Sequence, residues 1–189
     1  NESGVASGHY FHQDLLVAQW LSKDNPIRHV DVGSRFDGFV AHVAAFREIE
    51  VFDIRPLTSS INHIKFVQSD FAAANFPWRD YCDSLSCLHT LEHFGLGRYG
   101  DKTDYYGYQR GWTNLHQILK PGGRLYFSVP IGQQRIEFNG HRVFAIPYLL
   151  SMIQGRYEIE RFAYVNDAGD LVPEAEPQSQ AGERGFDCR

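Results

Sequence analysis

Three residues of kinds that bind nucleosides stand where predicted strands end. Gly33 follows an apolar run, Asp53 closes a second run 20 positions later, and Asp70 follows a third. Glycine lets the backbone approach a ligand closely, and an ionised carboxylate accepts hydrogen bonds from ribose hydroxyls or an exocyclic amine. Each residue alone is as often, or more often, a turn former or a helix cap. Their combination predicts a nucleoside-binding crevice.

Two histidines, His93 and His141, are candidates for a general base because imidazole titrates near neutral pH. They follow the predicted fourth and fifth strands, so both are expected to overhang the crevice. For each of them a structural role is an equally good explanation. Glu92 is a candidate for orienting a histidine or the substrate, although a helix N-terminal acid explains it equally well.

Other polar residues of the same loops suit a polar acceptor that is sugar-like or anionic. We expect acceptor contacts from Arg98, Tyr99, Asp101, Arg135, Asn139 and Arg142. For each charged residue, a surface position or an ion pair is the more common explanation.

The elements that must position these residues alternate between strands and helices. Periodicity predicts strands over residues 29–33, 50–54, 64–68, 82–89, 124–129 and 157–166, and helices over residues 9–22, 37–46, 109–119 and 143–153. This alternation predicts an α/β fold with a mostly parallel sheet and helices on both faces. Ligands of such sheets bind beyond the carboxyl ends of the strands, which is where the candidate residues lie.

The composition is that of one globular domain. The chain has 189 residues, 43% of them hydrophobic and 22% charged, and its net charge is −5. This charge gives no general attraction to nucleic acid, and no apolar run is long enough to span a membrane. The three cysteines lack metal-finger spacing, so we expect reduced thiols in the cytoplasm and no metal site.

We expect a flexible N-terminus over residues 1–8, one domain over residues 9–172 and a loose C-terminal segment over residues 173–189. After residue 166, only Leu171 and Val172 suggest a further strand. The chain begins with Asn1 rather than Met, which is expected of a domain excised from a larger multidomain protein.

Several motifs carry a family resemblance through their order and spacing. VDVG at residues 30–33, CDSLSCLHTLEH at residues 82–93 and LKPGGRL at residues 119–125 resemble motifs of class I S-adenosylmethionine-dependent methyltransferases. The resemblance covers about residues 28–165. GLGRYGD at residues 95–101 and NGHR at residues 139–142 are similar to the poorly characterised DUF268 branch.

The resemblance implies a Rossmann-like methyltransferase fold that binds S-adenosyl-L-methionine. It implies that Gly33 lies near the methionine part, Asp53 at the ribose hydroxyls and Asp70 near the adenine amine. It also implies that Leu88 and His89 lie beside the cofactor at the end of the fourth strand.

The first loop departs from the GxGxG pattern of these enzymes. Asp31 and Arg35 are expected to contact the cofactor from this loop, but Arg35 and Asp37 stand where the second and third glycines usually stand. The antiparallel last strand of the fold is also expected to be missing or truncated, because little beyond residue 166 is β-prone.

The resemblance implies a methyltransferase that acts on a small polar acceptor, such as a sugar hydroxyl in glycan or polysaccharide synthesis. A catalytically inactive, methyltransferase-like binding or scaffold domain is the alternative, since the first loop is atypical. A nicotinamide dehydrogenase is a weaker third option. The spacing of Gly33 and Asp53 fits it, but the GSRFDG loop is not GxGxxG.

Overall fold

A five-stranded parallel sheet forms the centre of the chain. The structure, a computed structural model, describes residues 7–137 and 140–178. The strands are β1 (His29–Val32), β2 (Ile49–Asp53), β3 (Ile64–Gln68), β4 (Cys82–Leu88) and β5 (Leu119–Ser128). They lie in the order β3-β2-β1-β4-β5, and each neighbouring pair is parallel. The winding reverses between β1 and β4, and such a reversal opens a crevice at the carboxyl ends of the strands.

Helices cover both faces of the sheet, and β1 and β2 are therefore buried along their whole length. On one face lie α1 (His9–Asp24) and α2 (Ala41–Ala44), the latter preceded by a π-helical turn over Phe36–Val40. The other face packs against α3 (Gly107–Ile118) and α4 (Ile146–Ile153). These two layers confirm the predicted α/β class.

Pairing between strands moves two of the predicted boundaries. The predicted helix over residues 143–153 begins only at Ile146, because Arg142–Val143 (β7) pairs with Arg135–Ile136 (β6) in an antiparallel ladder. The predicted fifth strand begins earlier than residue 124. Its start at Leu119 pairs with Cys82, and the register then shifts so that Ser84 pairs with Arg124.

The predicted strand over residues 157–166 is wrong for most of its length. Within that segment only Tyr164–Val165 (β8) forms a strand, and it pairs with Leu171–Val172 (β9) in an antiparallel hairpin. Side chains hold the preceding residues near β5 and α3, because Glu160 pairs with Arg124 of β5 at 2.9 Å and the Tyr157 ring packs on Trp112 of α3. Within the described residues β5 is thus an edge of the sheet, as expected if the last strand is missing.

Two other predictions fall partly outside the described residues. The expectations for residues 1–8 and 173–189 concern segments of which the structure describes only residues 7–8 and 173–178. Over the part of the chain that is described, no helix combines the length and the apolar character needed to cross a membrane.

Candidate functional site

A cavity of about 160 Å³ opens at the carboxyl ends of β1, β2, β3 and β4. Six of the seven predicted cofactor residues line it: Gly33, Arg35, Asp53, Asp70, Leu88 and His89. Of the residues predicted for catalysis and for the acceptor, the lining includes His93, Tyr99 and Asp101. The fold therefore brings residues from four strand ends and from the loop after β4 to one cavity.

Gly33 ends β1 in a conformation and a space that suit only glycine. Its φ is +70°, and a side-chain carbon at this position would lie 2.5 Å from Cγ2 of Thr90. Its N–H donates to the carbonyl oxygen of Phe52 at 2.9 Å, which ties the turn to β2. The bare backbone at Gly33 thus forms part of the cavity wall.

Replacing Gly33 by alanine is expected to lower the free energy of unfolding by about 2–5 kcal/mol. The left-handed backbone costs about 1–2 kcal/mol for an L-residue, and the overpacking against Thr90 adds about 1–3 kcal/mol. Urea denaturation measures the loss. Gly155 is the matched control, because its φ is +74° and no atom would meet an added side-chain carbon. Equal losses from G33A and G155A would contradict the close packing at Gly33.

Asp31, the acid of the first-loop motif, points into the protein and does not line the cavity. Its Oδ1 accepts hydrogen bonds from the hydroxyls of Ser34 and Ser86 at 2.7 and 2.6 Å, and its Oδ2 accepts one from the Ser34 N–H at 3.0 Å. The Ser86 hydroxyl also lies 3.1 Å from Nε2 of His29, whose Nδ1 lies 2.8 Å from the Ser84 hydroxyl. All five residues are buried. The carboxylate therefore holds the turn in place from inside.

Burial moves the pKa values of Asp31 and His29 in opposite directions. Burial raises the pKa of Asp31 from 3.8 to about 6 and lowers the pKa of His29 from 6.5 to about 3. Asp31 stabilises the fold at low pH and this contribution is lost as the pH rises from about 4 to about 6. The contribution of His29 is lost in the other direction, as the pH falls from about 6.5 to about 3. Between pH 4 and 6 the two effects largely cancel.

Single substitutions are expected to reveal the two cancelling effects. In D31N only the His29 effect remains. As the pH rises from 4 to 6, the free energy of unfolding of D31N should therefore increase by about 3 kcal/mol relative to that of the parent protein. H29Q should instead lose about the same amount over this range. Urea denaturation at several pH values measures both slopes. Slopes of the same sign in the two variants would contradict the buried network.

Asp53 ends β2 and already has a cationic partner. Its Oδ1 accepts hydrogen bonds from the backbone N–H and the Nε of Arg55 at 2.8 and 2.9 Å, and its Oδ2 lies 2.5 Å from Nη2 of the same residue. The Arg55 guanidinium also stacks on the ring of Tyr99, 4.9 Å from the centroid. A ribose hydroxyl at Asp53 would therefore share the carboxylate with Arg55 or displace it.

The remaining cofactor residues lie at the ends of β3 and β4. Oδ1 of Asp70 accepts a hydrogen bond from the Ala72 N–H at 2.7 Å, while the carboxylate still borders the cavity. His89 has a φ of +49°, an uncommon backbone conformation that turns the chain sharply after β4. Its ring lies 5.3 Å from the ring of Tyr10 on α1.

A buried carboxylate, Glu92, lies between two imidazoles in the short 3₁₀ turn Leu91–His93. Its Oε1 is 3.4 Å from Nδ1 of His89 and 3.7 Å from Nε2 of His93. The Glu92 side chain is 1% exposed, and its Oε2 has no hydrogen-bond partner among the described residues. Such a carboxylate can stabilise an imidazolium that forms beside it.

The two predicted bases occupy different places. His93 lines the cavity, and its Nδ1 donates to the carbonyl oxygen of Gly140 at 3.0 Å. Burial lowers the pKa of His93. His141 does not line the cavity but packs edge-on against His93, with the ring centroids 6.2 Å apart. Its buried Nε2 has no hydrogen-bond partner in the described structure.

Arg142, predicted to bind the acceptor, is 3% exposed and directs its hydrogen bonds to the protein itself. Its guanidinium donates to the carbonyl oxygens of Glu92, Phe94 and Tyr105 at 3.2, 2.7 and 3.4 Å. It also lies 4.6 Å from the centroid of the Tyr108 ring. These contacts hold the turn that carries Glu92 and His93.

Other predicted acceptor residues mostly order their own loops. Asp101 accepts N–H donors from Gly95, Gly97 and Tyr99 at 2.9–3.1 Å. Arg98 donates to the carbonyl oxygen of Gly140 at 3.1 Å, and Arg135 pairs with Glu137 outside the cavity lining. Asn139 lies outside the described residues.

The cavity lining also includes residues that were not predicted from the sequence. Among them are Tyr10, Gln13 and Asp14 of α1, and Arg55 after β2. Tyr10 and Asp14 are four positions apart and so share one helix face, which is a visible but unspecific signal. Nothing in the sequence indicates that this face of α1 borders the first loop.

The sequence also matches a family model over residues 35–176, about three quarters of the chain. That family is described as "Caenorhabditis protein of unknown function, DUF268". The chain belongs to the DUF268 family. The match confirms the predicted resemblance. It covers the cavity residues of the DUF268 chain except those of α1, Val32 at the end of β1, and Gly33 and Ser34 of the following loop.

Solved structures similar to this DUF268 chain are distant in sequence. The 1,6-didemethyltoxoflavin-N1-methyltransferase of Burkholderia thailandensis, solved with 1,6-didemethyltoxoflavin and S-adenosylhomocysteine, has a TM-score of 0.59 at 14% identity, over 80% of this chain and 71% of that one. The methyltransferase domain of bacterial CtHen1 has a TM-score of 0.55 at 13% identity, and the match covers 87% of this chain and 95% of that domain. An O-methyltransferase family protein from B. thailandensis has a TM-score of 0.52 at 12% identity, and the match covers 75% of this chain and 49% of that protein.

These matches show the fold of the DUF268 chain. The Rossmann-like methyltransferase fold predicted from the motifs is confirmed. The chain spans about half the length of the O-methyltransferase family protein that it matches. No curated protein matches the sequence.

Proposed function

We propose that this DUF268 chain is an S-adenosylmethionine-dependent methyltransferase that acts on a small polar acceptor, with a sugar hydroxyl in glycan or polysaccharide synthesis as the leading candidate. The observation that carries the proposal is the cavity where Gly33, Asp53, Asp70 and His93 meet. The B. thailandensis 1,6-didemethyltoxoflavin-N1-methyltransferase, which is similar in fold, was solved with S-adenosylhomocysteine bound. We also propose that the protein works in the cytoplasm.

The residues present fit the cofactor at several points. Gly33 lines the cavity with its backbone alone, which a ligand can approach closely. Asp53 and Asp70 offer acceptor oxygens of the kind that ribose hydroxyls and the adenine amine need. Leu88 and His89 line the cavity at the end of β4.

When bound, S-adenosylmethionine supplies an electrophilic methyl group on its sulfonium sulfur. For a hydroxyl acceptor, the proton leaves the oxygen as the new carbon–oxygen bond forms, so a base must receive it. His93 is the proposed base, because it lines the cavity and its Nδ1 donates to Gly140, which leaves the lone pair on Nε2 of the neutral ring. The Glu92 carboxylate, 3.7 Å from this nitrogen, then stabilises the imidazolium.

The remaining contribution of the protein is alignment. Direct displacement at a methyl carbon needs the acceptor oxygen in line with the leaving sulfur, and holding the two together removes a large entropic part of the barrier. Tyr99 and Asp101 border the cavity beside His93 and are the proposed contacts for the acceptor. The ordered loop around Asp101 gives these contacts a fixed position.

Calorimetry with S-adenosylhomocysteine tests the proposal. We expect the parent protein to bind this product analogue and D53N to bind it more weakly. Transfer of labelled methyl groups into a cell extract should then identify acceptors. A folded parent protein that binds neither S-adenosylmethionine nor S-adenosylhomocysteine would refute the proposal.

One observation favours the alternative of a binding domain without catalysis. Arg55 engages both oxygens of Asp53, the carboxylate that the cofactor ribose would need. If this ion pair blocks the site, R55A should bind S-adenosylhomocysteine when the parent protein does not. Binding by the parent protein, together with methyl transfer to any acceptor, would exclude this alternative.

A further inference from the structure

The N-terminal helix α1 brings an acidic side chain to the cavity. Asp14 lines the cavity and is only 6% exposed. Its Oδ1 accepts a hydrogen bond from Nε2 of Gln13 at 3.0 Å, and it makes no ion pair within residues 7–137 and 140–178. Burial raises the pKa of Asp14. A carboxylate in such a place gains from a cationic ligand, because a buried charge without a partner is costly.

A cation lies on the same side of the cavity. The Arg35 guanidinium is 5.4 Å from the centroid of the Tyr10 ring, one helical turn before Asp14. Two of its nitrogens, Nε and Nη2, donate to the exposed carboxylate of Asp37 at 3.0 and 2.7 Å. The cavity wall at α1 and the first loop thus presents one acid and one base, which is the pattern that a zwitterion needs.

A different part of the cavity suits the nucleoside. Asp53 and Asp70 lie at the ends of β2 and β3, whereas Asp14 and Arg35 both lie against Gly38 in the turn that follows β1. A ligand with its ribose at Asp53 therefore directs the other end of the molecule toward Asp14 and Arg35. Asp31, the motif acid of this region, cannot serve that end, because Ser34 and Ser86 occupy its carboxylate inside the protein.

We infer that Asp14 and Arg35 bind the amino-acid end of the cofactor, with Asp14 accepting hydrogen bonds from the α-ammonium group and Arg35 pairing with the α-carboxylate. The inference rests on the proposed function and adds a residue outside the part of the chain that the family model matches. Asp14 is here a positioning residue that holds the cofactor by its charged end.

A purely structural role of Asp14 makes a different prediction. The carboxylate packs against Gly38, where a side-chain carbon would collide with Oδ2, and it lies near the N–H of Phe39. If Asp14 only supports this turn, its loss should weaken every ligand of the cavity alike. If it binds the ammonium group, its loss should weaken only ligands that carry this group.

Calorimetry with two ligands separates these roles. S-adenosylhomocysteine carries the amino-acid group, whereas 5′-methylthioadenosine has the same adenosine and sulfur without it. We expect D14N to bind S-adenosylhomocysteine about 10- to 100-fold more weakly than the parent protein does, which is the loss of one charged hydrogen bond, and to bind 5′-methylthioadenosine within about twofold. Equal weakening of both ligands, or of neither, would overturn the inference.

Two controls accompany this experiment. E48Q removes an exposed acid that pairs with Lys65 near the start of β2, and it should leave both affinities unchanged. The α-deamino analogue of S-adenosylhomocysteine tests the parent protein without any substitution and should bind at least about tenfold more weakly than S-adenosylhomocysteine. Equal binding of the two would overturn the inference even if D14N fails to fold. A parent protein that binds none of these ligands would refute the proposed function, and with it the inference.

Discussion

Replacement of His93 by glutamine is expected to reduce methyl transfer about 10²- to 10⁴-fold, which is the usual contribution of a general base. The affinity for S-adenosylhomocysteine should stay within about twofold, because the imidazole acts on the acceptor. Burial lowers the pKa of His93 below its ordinary value, so the neutral base predominates at pH 7. Incorporation of labelled methyl groups into acceptors from a cell extract measures the rate.

His141 provides the matched control for this prediction. It packs against His93 but does not line the cavity, so H141Q is expected to lose less than about tenfold in rate. The activity of the parent protein should rise with pH through a midpoint below 6.5, and H93Q should lose this dependence. Undiminished activity of H93Q, or a larger loss in H141Q than in H93Q, would show that His93 is not the base.

Replacement of Arg142 by methionine is expected to lower the free energy of unfolding by about 3–5 kcal/mol. The guanidinium donates to three carbonyl oxygens in a buried position, and each oxygen would lose a charged donor that methionine cannot replace. The turn that carries Glu92 and His93 should also loosen, because two of the three carbonyls belong to it or follow it directly. Urea denaturation and the rate of methyl transfer together measure these effects.

Arg98 serves as the control for Arg142. It donates to one carbonyl oxygen, that of Gly140, in an exposed position, so R98M should cost less than about 1 kcal/mol. A different result would favour the role predicted from the sequence. If R142M keeps its stability while the KM for the acceptor rises, Arg142 contacts the acceptor after all.

The fold could be predicted because its strands are bounded by strong local signals. The strand predicted over residues 64–68 coincides with β3, and the ends of β1, β2 and β4 lie within about one residue of their predicted positions. The strand predicted over residues 157–166 is wrong for most of its length, because alternation of apolar residues shows only that a strand could form. Whether its backbone pairs with β5 depends on long-range contacts. Here the Glu160 side chain contacts Arg124 of β5 and the Tyr157 ring contacts Trp112 of α3 instead.

The site could be predicted in outline for a topological reason. In a parallel sheet the carboxyl ends of the strands meet at one edge, so Gly33, Asp53, Asp70 and His89 had to lie near one another once the strands were correct. His93 lines the same cavity because it lies in the short turn that follows β4. These residues share a cavity because chain direction, rather than any detail of packing, brings them there.

The sequence by itself determined the α/β class, the family and the set of strand-end residues, because these depend on local periodicity and on motifs of a few residues. Only the tertiary structure decided the direction and the partner of each side chain. It turned Asp31 inward to Ser34 and Ser86, paired Asp53 with Arg55, buried Arg142 under three carbonyls and brought Asp14 to the cavity. Such partners come from distant parts of the chain or from the local shape of a turn, and burial then fixes the charge that each group can hold.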